Sequence, residues 1–368
     1  MKIIHLTSAH SRYDMRIFEK MCHSAALAGH EVSVIVADGR GNECRNGIEI
    51  YDVGKPRNRM ERAGTIAFKV ASAARKMEAD IIQLHDPELL TYVFLFGGKP
   101  KVIFDAHEDV REQIKRKEYF HPFIRGWISR VYGVIEKVAF KRIDGVVAAT
   151  GHIASVYETK TSVATVCNYP IIQKFYERDG VKPFKDVHDL IYIGGLSRAR
   201  GIVELIKAMK YVKSQVKLHI CGPFSSQQFQ LELTNLIGWK KVDYHGVLDH
   251  DKVAKLLSQS DLGLVTLLPK PGYEASLPVK MFEYFAAGVP VIASNFPLWR
   301  NIILDDRLGH VVDPGDPKAI AETIDRMISD QNSLDEMRRN GRRITLEKYR
   351  WDHQYVKLDK FYEELMDQ

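Results

Sequence analysis

The sequence predicts an α/β protein of two successive domains, each a parallel sheet with helices on both faces. Three observations carry this. Short apolar runs alternate with longer amphipathic stretches along the whole chain. Its 368 residues are too many for one ordinary core. Between the halves, the stretch Asn168–Asp189 holds Pro170, Pro183, many charges and few apolar residues in series, the composition of a linker.

In the first half, strands are expected at Ile3–Thr7, Glu31–Val36, Ile48–Val53, Ile81–Leu84, Val102–Asp105 and Gly145–Ala149. Helices are expected at Arg16–Ala28, Thr65–Met77, Pro87–Phe96 and Phe123–Phe140. The second half repeats the rhythm. Its strands are expected at Leu190–Ile193, Lys217–Cys221, Val242–Tyr244, Leu262–Val265 and Val289–Ala293. Its helices are expected near Gly201–Tyr211, Ser226–Ile237, Asp251–Ser258, Pro278–Ala287 and Lys318–Ser329. The boundaries follow as 1–168, a linker 169–188, and 189–350. A periodic helix within 351–368 (Tyr355, Leu358, Phe361, Tyr362, Leu365) is expected to pack back toward the first domain.

Hydrophobic content of 45% fits a water-soluble globular protein, and no apolar run reaches bilayer-spanning length. The opening M-K-I-I-H-L-T reads as a buried strand rather than a signal peptide. Cys22, Cys44, Cys167 and Cys221 form no metal or disulfide pattern, so a reducing cytoplasm is expected. Net charge is +6, and Arg111–Arg142 carries nine Lys/Arg against three Asp/Glu, a surplus equal to that of the whole chain. Tyr119, Phe120, Phe123, Ile124, Trp127, Ile128 and Tyr132 are interleaved with it. Such a segment can lie on an anionic membrane surface; the commoner outcome is a helix with a solvated basic face. No nucleic-acid motif accompanies the charge, so nucleic acid is not expected as a partner.

Several polar clusters fall at strand ends, where ligands of open α/β sheets bind. The first strand leads into S-A-H-S-R-Y-D-M-R, with His10, Arg12, Asp14 and Arg16. The loop has no G-x-G-x-x-G fingerprint, which counts against a nicotinamide or flavin enzyme. Asp14 also reads as a helix N-cap. Two further strands end in His85-Asp86-Pro87-Glu88 and Asp105-Ala106-His107-Glu108-Asp109. Three polar strand ends on one side suit a polyhydroxylated ligand; zinc is the alternative, without H-E-x-x-H spacing.

The second domain opens with I-Y-I-G-G-L-S-R-A-R-G-I. Gly194 and Gly195, a helix start and Arg198 or Arg200 make a diphosphate site, or else a tight turn with solvated arginines. In Leu277–Ser294, Glu283 lies between Phe282 and Tyr284, where a buried carboxylate needs partners such as ribose hydroxyls. The alternative is a surface glutamate on a packing helix. Asp249–Asp251 is the one D-x-D; an N-cap explains it, and no obligatory metal is expected.

Taken in order, Gly29–Val32 (G-H-E-V), Gly194–Gly201 (G-G-L-S-R-A-R-G), His219–Pro223 (H-I-C-G-P) and Tyr244–Leu248 (Y-H-G-V-L) form a familiar series. It continues with Phe282–Ser294 (F-E-Y-F-A-A-G-V-P-V-I-A-S), Gly309–Asp316 (G-H-V-V-D-P-G-D) and Tyr349–Trp351 (Y-R-W). The chain resembles the retaining family 4 glycosyltransferases of the GT-B fold over nearly its whole length. Its His10–Ile17 loop resembles members that build bacterial surface polysaccharides.

The resemblance implies two Rossmann-like domains with parallel sheets facing a central cleft, acceptor-binding first and nucleotide-sugar-binding second. Matched position by position, it implies that Glu283 binds the donor ribose, Arg200 the diphosphate, and His107 the region of the donor sugar and its phosphate. Gly222, Pro223, Val247 and Leu248 would lie along the nucleobase. Gly194, Gly195, Gly201, Leu277 and Pro278 complete the donor side, and His10, Arg12, Asp14, His85 and Asp86 are the acceptor-side candidates. Two positions depart from the family. Ala275 stands where the first glutamate of its E-x7-E motif belongs, with Glu274 beside it. Gly195 stands where a phosphate-binding arginine belongs, leaving Arg198 or Lys280 to supply the charge.

The resemblance further implies front-face transfer with no protein nucleophile and no cofactor. The expected donor is a UDP-sugar, with GDP the alternative. The expected acceptor is a glycan or lipid-linked sugar in O-antigen, capsule or exopolysaccharide synthesis, made in the cytoplasm at the inner face of the plasma membrane. The alternatives are an epimerase of the same fold and a non-catalytic nucleotide-sugar-binding subunit.

Overall fold

A computed structural model describes residues 1–108, 110, 122–175 and 186–368. The first part of the basic stretch and the middle of the predicted linker lie outside these. The chain forms two compact units, 1–168 together with 351–368, and 169–350.

The first unit is built on one sheet of β1 (Lys2–Leu6), β2 (Glu31–Val36), β3 (Glu43–Arg45), β4 (Ile48–Asp52), β5 (Ile81–Leu84), β6 (Lys101–Ala106), β7 (Gly145–Ala148) and β8 (Ser162–Thr165). The spatial order is β3-β4-β2-β1-β5-β6-β7-β8. Only the β3–β4 pair is antiparallel among the described strands. β1, β5 and β7 are almost wholly buried, as strands covered on both faces must be. Ile4, Leu6, Ile82, Leu84, Phe104 and Val146 form the core with Val70 and Ala74 of the helix Ala67–Arg75. The helix Trp351–Met366 belongs to this unit. Trp351 Nε1 donates to Ser24 Oγ at 2.8 Å, Gln354 accepts from Cys167 N at 3.0 Å, and Tyr362 OH donates to Gln83. Phe361 packs on Gly145, where even a methyl group would clash.

The second unit carries β9 (His188–Ile193), β10 (Val216–Cys221), β11 (Val242–Gly246), β12 (Leu262–Val265), β13 (Val291–Ser294) and β14 (Gly309–Val312). All pairs are parallel, in the order β11-β10-β9-β12-β13-β14. Neighbouring residues of one strand feed opposite cores. Leu190 joins Leu218, Leu264 and Ile292 on one face, while Ile191 joins Val265, Phe282, Phe285 and Trp299 on the other. Helix starts are capped by Ser226, Asp249 and Asp316, whose side chains accept backbone N–H bonds. Tyr169 and Phe175, at the start of the predicted linker, pack on this second core.

Most predicted elements recur within a residue or two. The last predicted strand shifts from Val289–Ala293 to Val291–Ser294, because Gly288 still ends the preceding helix with φ at +65°. Pro87–Phe96 is a 3-10 helix. The helix predicted from Arg16 begins as a π-turn, Ile17–Cys22, before His23–Leu27. Strands β3, β8 and β14 and the helices Gly151–Tyr157, Pro297–Asp305 and Gln331–Glu347 were not among the expected elements.

Candidate functional site

The second sheet reverses its strand order between β9 and β12, the position where open α/β sheets bind ligands. β9 runs into Gly194, whose φ is +129°. A methyl group there would lie 2.9 Å from Arg200 Nη1 and 3.4 Å from Lys280 Nζ. The missing side chain thus leaves a concavity walled by two cations. Beside it, Gly222 at the end of β10 has φ at +141°, and a Cβ would come 2.1 Å from the Gly194 carbonyl oxygen.

Arg200 ends the short turn Arg198–Arg200, and Gly201 opens the helix Ile202–Met209. Lys280 is in the first turn of the helix Val279–Ala286, which follows β12. Its Nζ is buried without a hydrogen-bond partner and lies 3.8 Å from the centre of the Tyr192 ring. Burial, and then the Arg200 charge, hold Lys280 well below the ordinary lysine pKa, against the pull of Glu283. A ring face is a partial substitute for an anion, so this ammonium is poised for one. The Tyr192 hydroxyl donates to the Gly195 carbonyl at 3.2 Å, and burial raises its pKa to about 12 despite Arg200. Glu283 lies one turn beyond Lys280 and is half-buried. Pro278 precedes the helix, and Trp299 Nε1 donates to the Ser276 carbonyl at 2.7 Å, pinning the loop that contains Leu277.

Arg198 is exposed and ion-paired with Glu232, so Lys280 is the cation beside Arg200. Glu274 is exposed and lines a separate cavity of about 300 Å³ with Asn295 and Asp313. Gly222 N donates to Gly246 O at 2.7 Å, and Tyr244 OH to Gly222 O at 2.9 Å. These bonds tie the Gly222–Pro223 turn to the loop holding Val247, which is exposed, and Leu248, which packs partly on the core. Asp249 accepts from Lys252 N at 2.9 Å, the capping role that its spacing suggested.

In the first unit the order reverses between β1 and β5. Asp86 joins the two strand ends, accepting from Thr7 Oγ1 at 2.8 Å, Ser8 N at 2.6 Å and Ala9 N at 3.1 Å. Beyond it is a cavity of about 620 Å³ whose polar lining includes His10, His85, Asp86, Glu88, Asp105 and His107. Behind the cavity runs a buried chain of contacts. His5 Nδ1 is 2.9 Å from His85 Nε2, and His85 Nδ1 is 2.9 Å from Asp105 Oδ2. Arg16 clamps Asp105 with two bonds, at 3.0 and 2.7 Å. Burial alone would raise the Asp105 pKa; Arg16, with His107 and His85, holds it well below the usual carboxylate range. Burial lowers the pKa of His5 and His85. Neutral His85 therefore donates from Nδ1 to Asp105 and accepts from His5 at Nε2.

His107 Nε2 lies 2.8 Å from Asp105 Oδ2, an ion-pair distance without hydrogen-bond alignment. Its ring centre is 5.4 Å from that of His10. Arg12 and Asp14 are outside the cavity lining. Arg12 is buried against Asp38 at 2.6 Å and Glu43 at 2.9 Å. Asp14 accepts from Arg16 N at 2.8 Å and Ile17 N at 3.0 Å, the N-cap alternative, and pairs with His10 at 3.2 Å. That bond raises the His10 pKa.

Among the described residues, two groups bring three metal-ligand atoms within 4.8 Å, His85–Asp105–His107 and His219–Asp243–His245. In the first, the Arg16 clamp already offsets the carboxylate charge. Tyr192 and the Arg16–Asp105 pair are the site features that sequence reasoning missed. Tyr192 was signalled only by its alternation with Ile191 and Ile193 on a buried strand.

Comparison with known proteins places both halves. Residues 16–165 match the family described as Glycosyltransferase Family 4, and residues 174–344 the family described as Glycosyl transferases group 1. The chain is 27% identical over 178 residues to the capsular polysaccharide biosynthesis glycosyltransferase CapM of Staphylococcus aureus, covering 46% of this chain and 44% of that protein. The matched stretches span less than two thirds of each curated relative's length. Sucrose-phosphate synthase of Thermosynechococcus elongatus has the same fold, with a TM-score of 0.80 at 17% identity over 100% of this chain and 99% of that one. HepE of Anabaena, solved with UDP-glucose, superposes with a TM-score of 0.73 at 16% identity over 99% and 100%. The chain thus has the GT-B fold, its first half similar to Glycosyltransferase Family 4 and its second half to glycosyl transferases group 1.

Proposed function

We propose that the chain is a retaining, metal-independent glycosyltransferase that moves a sugar from a UDP-sugar to a glycan or lipid-linked acceptor in surface-polysaccharide synthesis. The observation that carries this is the buried, anion-seeking Lys280 facing Arg200 across Gly194, with Glu283 one turn away. The pair fits a diphosphate, and Glu283 the ribose hydroxyls. The UDP-glucose held by HepE and the capsule pathway of CapM support the donor and pathway classes.

In this reading the bond from the anomeric carbon to the diphosphate oxygen breaks with oxocarbenium character. Arg200 and Lys280 stabilise the charge that grows on the leaving phosphate. The acceptor oxygen bonds to the anomeric carbon on the same face, and its proton passes to a leaving phosphate oxygen. The first-unit cavity, lined by His107 beside Asp105, takes the acceptor. The helix Pro122–Ala139 offers an anionic membrane surface at the cytoplasmic face an exposed stripe of Trp127, Val131, Val134 and Val138, with Arg130 and Lys137 beside it. Ile128 and Tyr132, counted with the interfacial residues in the sequence, pack on the core instead.

Glu283→Ala should raise the donor KM strongly, and Arg200→Ala should lower kcat. Turnover should survive EDTA, and NMR of the product should show the donor's anomeric configuration retained. Near-wild-type transfer by both variants overturns the site assignment.

A further inference from the structure

A second polar cluster lies on β9–β11, the edge of the second sheet, and the proposed transfer has no use for it. His219, Lys217 and Cys221 share one face of β10, opposite the face of Leu218 and Ile220. On the same side, the neighbouring strands contribute Asp189 from β9 and Asp243 and His245 from β11. His219 is buried, and both its ring nitrogens are engaged. Nδ1 is 2.9 Å from His245 Nε2 and Nε2 is 3.0 Å from Asp189 Oδ1. The Asp243 carboxylate completes a triangle, 3.8 Å from His219 Nδ1 and 3.9 Å from His245 Nε2.

We propose that His219 Nδ1, His245 Nε2 and Asp243 Oδ2 form a site for a borderline divalent transition ion such as Zn²⁺. Bonds of about 2.0–2.1 Å in a tetrahedral site set ligand atoms about 3.3–3.4 Å apart. The observed edges bracket that spacing, so small side-chain rotations close the site. Two imidazoles and one carboxylate suit zinc and leave its fourth position for water. Asp189 supplies the outer support that such sites use. Accepting the Nε2–H of His219, it fixes the tautomer with its lone pair on Nδ1, facing the cluster. On metal binding, His245 moves its ring proton from Nε2 to Nδ1, and no proton is released. The Lys217 ammonium, 3.0 Å from Asp243 Oδ2 and half exposed, holds the place of a cation and can swing out.

The ion would clip the edge strand β11 to β10, immediately before the Gly246 carbonyl that receives Gly222 N. The inference does not rest on the transferase reading, because metal binding is read directly.

The test uses the full chain, freed of metal with a chelator and dialysed. Zn²⁺ is titrated calorimetrically against a competing chelator, and Co²⁺ is followed by visible absorption. The expected result is one site per chain, with the intense absorption of tetrahedral Co²⁺. His219→Ala and His245→Gln should each lose the site. Asp189→Asn should weaken it by roughly 10–100-fold, and Lys217→Ala should tighten it. A folding control accompanies these, since His245 is on an edge strand and partly exposed. Zn²⁺ should raise the thermal midpoint of the wild type but not of His245→Gln. Equal Zn²⁺ affinity in wild type and both histidine variants overturns the proposal. So does a site lost only on His85→Ala or His107→Ala, or no measurable site in the wild type.

Discussion

Lys280 makes the proposed donor site sensitive to protons. Its Nζ and Arg200 Nη1 both border the space beside Gly194, so the two cations are about 6 Å apart at most. At an effective dielectric of about 20, like charges at that spacing repel by about 2.5 kcal/mol or more. Burial acts in the same direction, so the free protein holds Lys280 well below the ordinary lysine pKa. A diphosphate between the cations reverses both effects and raises that pKa. Below the free-state pKa the lysine is already charged, and UDP affinity should be independent of its titration. Between the free-state and bound-state values, binding must take up a proton. Affinity should there fall about tenfold per pH unit as pH rises, or about 1.4 kcal/mol. Calorimetric titration of UDP across pH, in two buffers of different ionisation enthalpy, counts the protons. Uptake should approach one per chain within the window. Lys280→Met should abolish the slope. It should also weaken UDP by roughly 10–150-fold at the low-pH plateau, the loss of one charge-assisted contact of about 1.5–3 kcal/mol. A wild type with no proton uptake, or a Lys280→Met variant that keeps the slope, refutes the assignment of this lysine to the diphosphate.

Three further outcomes are expected. Gly222→Ala must place a Cβ 2.1 Å from a backbone oxygen at a φ that favours glycine, and should cost about 3 kcal/mol or more in urea unfolding of the second unit; a loss under about 1 kcal/mol would contradict the backbone contact. Asp105→Asn leaves the buried Arg16 guanidinium without its carboxylate and should destabilise the first unit by about 3–5 kcal/mol; an unchanged urea midpoint would show that the pair does not hold that unit. Trp127→Glu should abolish co-flotation with phosphatidylglycerol vesicles while leaving the circular dichroism spectrum intact; equal flotation of wild type and variant would return the stripe to ordinary surface.

The strands legible in the sequence are those with apolar side chains on both faces, such as Glu31–Val36, Ile81–Leu84 and Leu262–Val265. β3 reads E-C-R, is largely exposed, and pairs only through a hairpin, so no hydrophobic pattern marks it. The helix Gln331–Glu347 is dominated by polar residues and contains Gly341, which fits because the backbone of Phe285 comes within 3.1 Å of where its Cβ would be. The candidate site was partly legible. Gly194, Arg200 and Glu283 were visible as motif residues, but the meeting of Arg200 with Lys280 depends on the strand-order reversal between β9 and β12. Arg12 looked like a ligand-facing cation and is instead spent on Asp38 and Glu43, contacts with residues more than twenty positions away.

The helix Trp351–Met366 has a consequence for how the protein is made. It closes the first unit, yet the ribosome reaches it only after the whole of 169–350. The second unit is therefore an uninterrupted stretch that can fold during synthesis. The first must wait, with Gly145 uncovered and Gln83 lacking its tyrosine, until the last helix emerges. A chain truncated after residue 350 and released should hold a native second unit beside an unfinished first one.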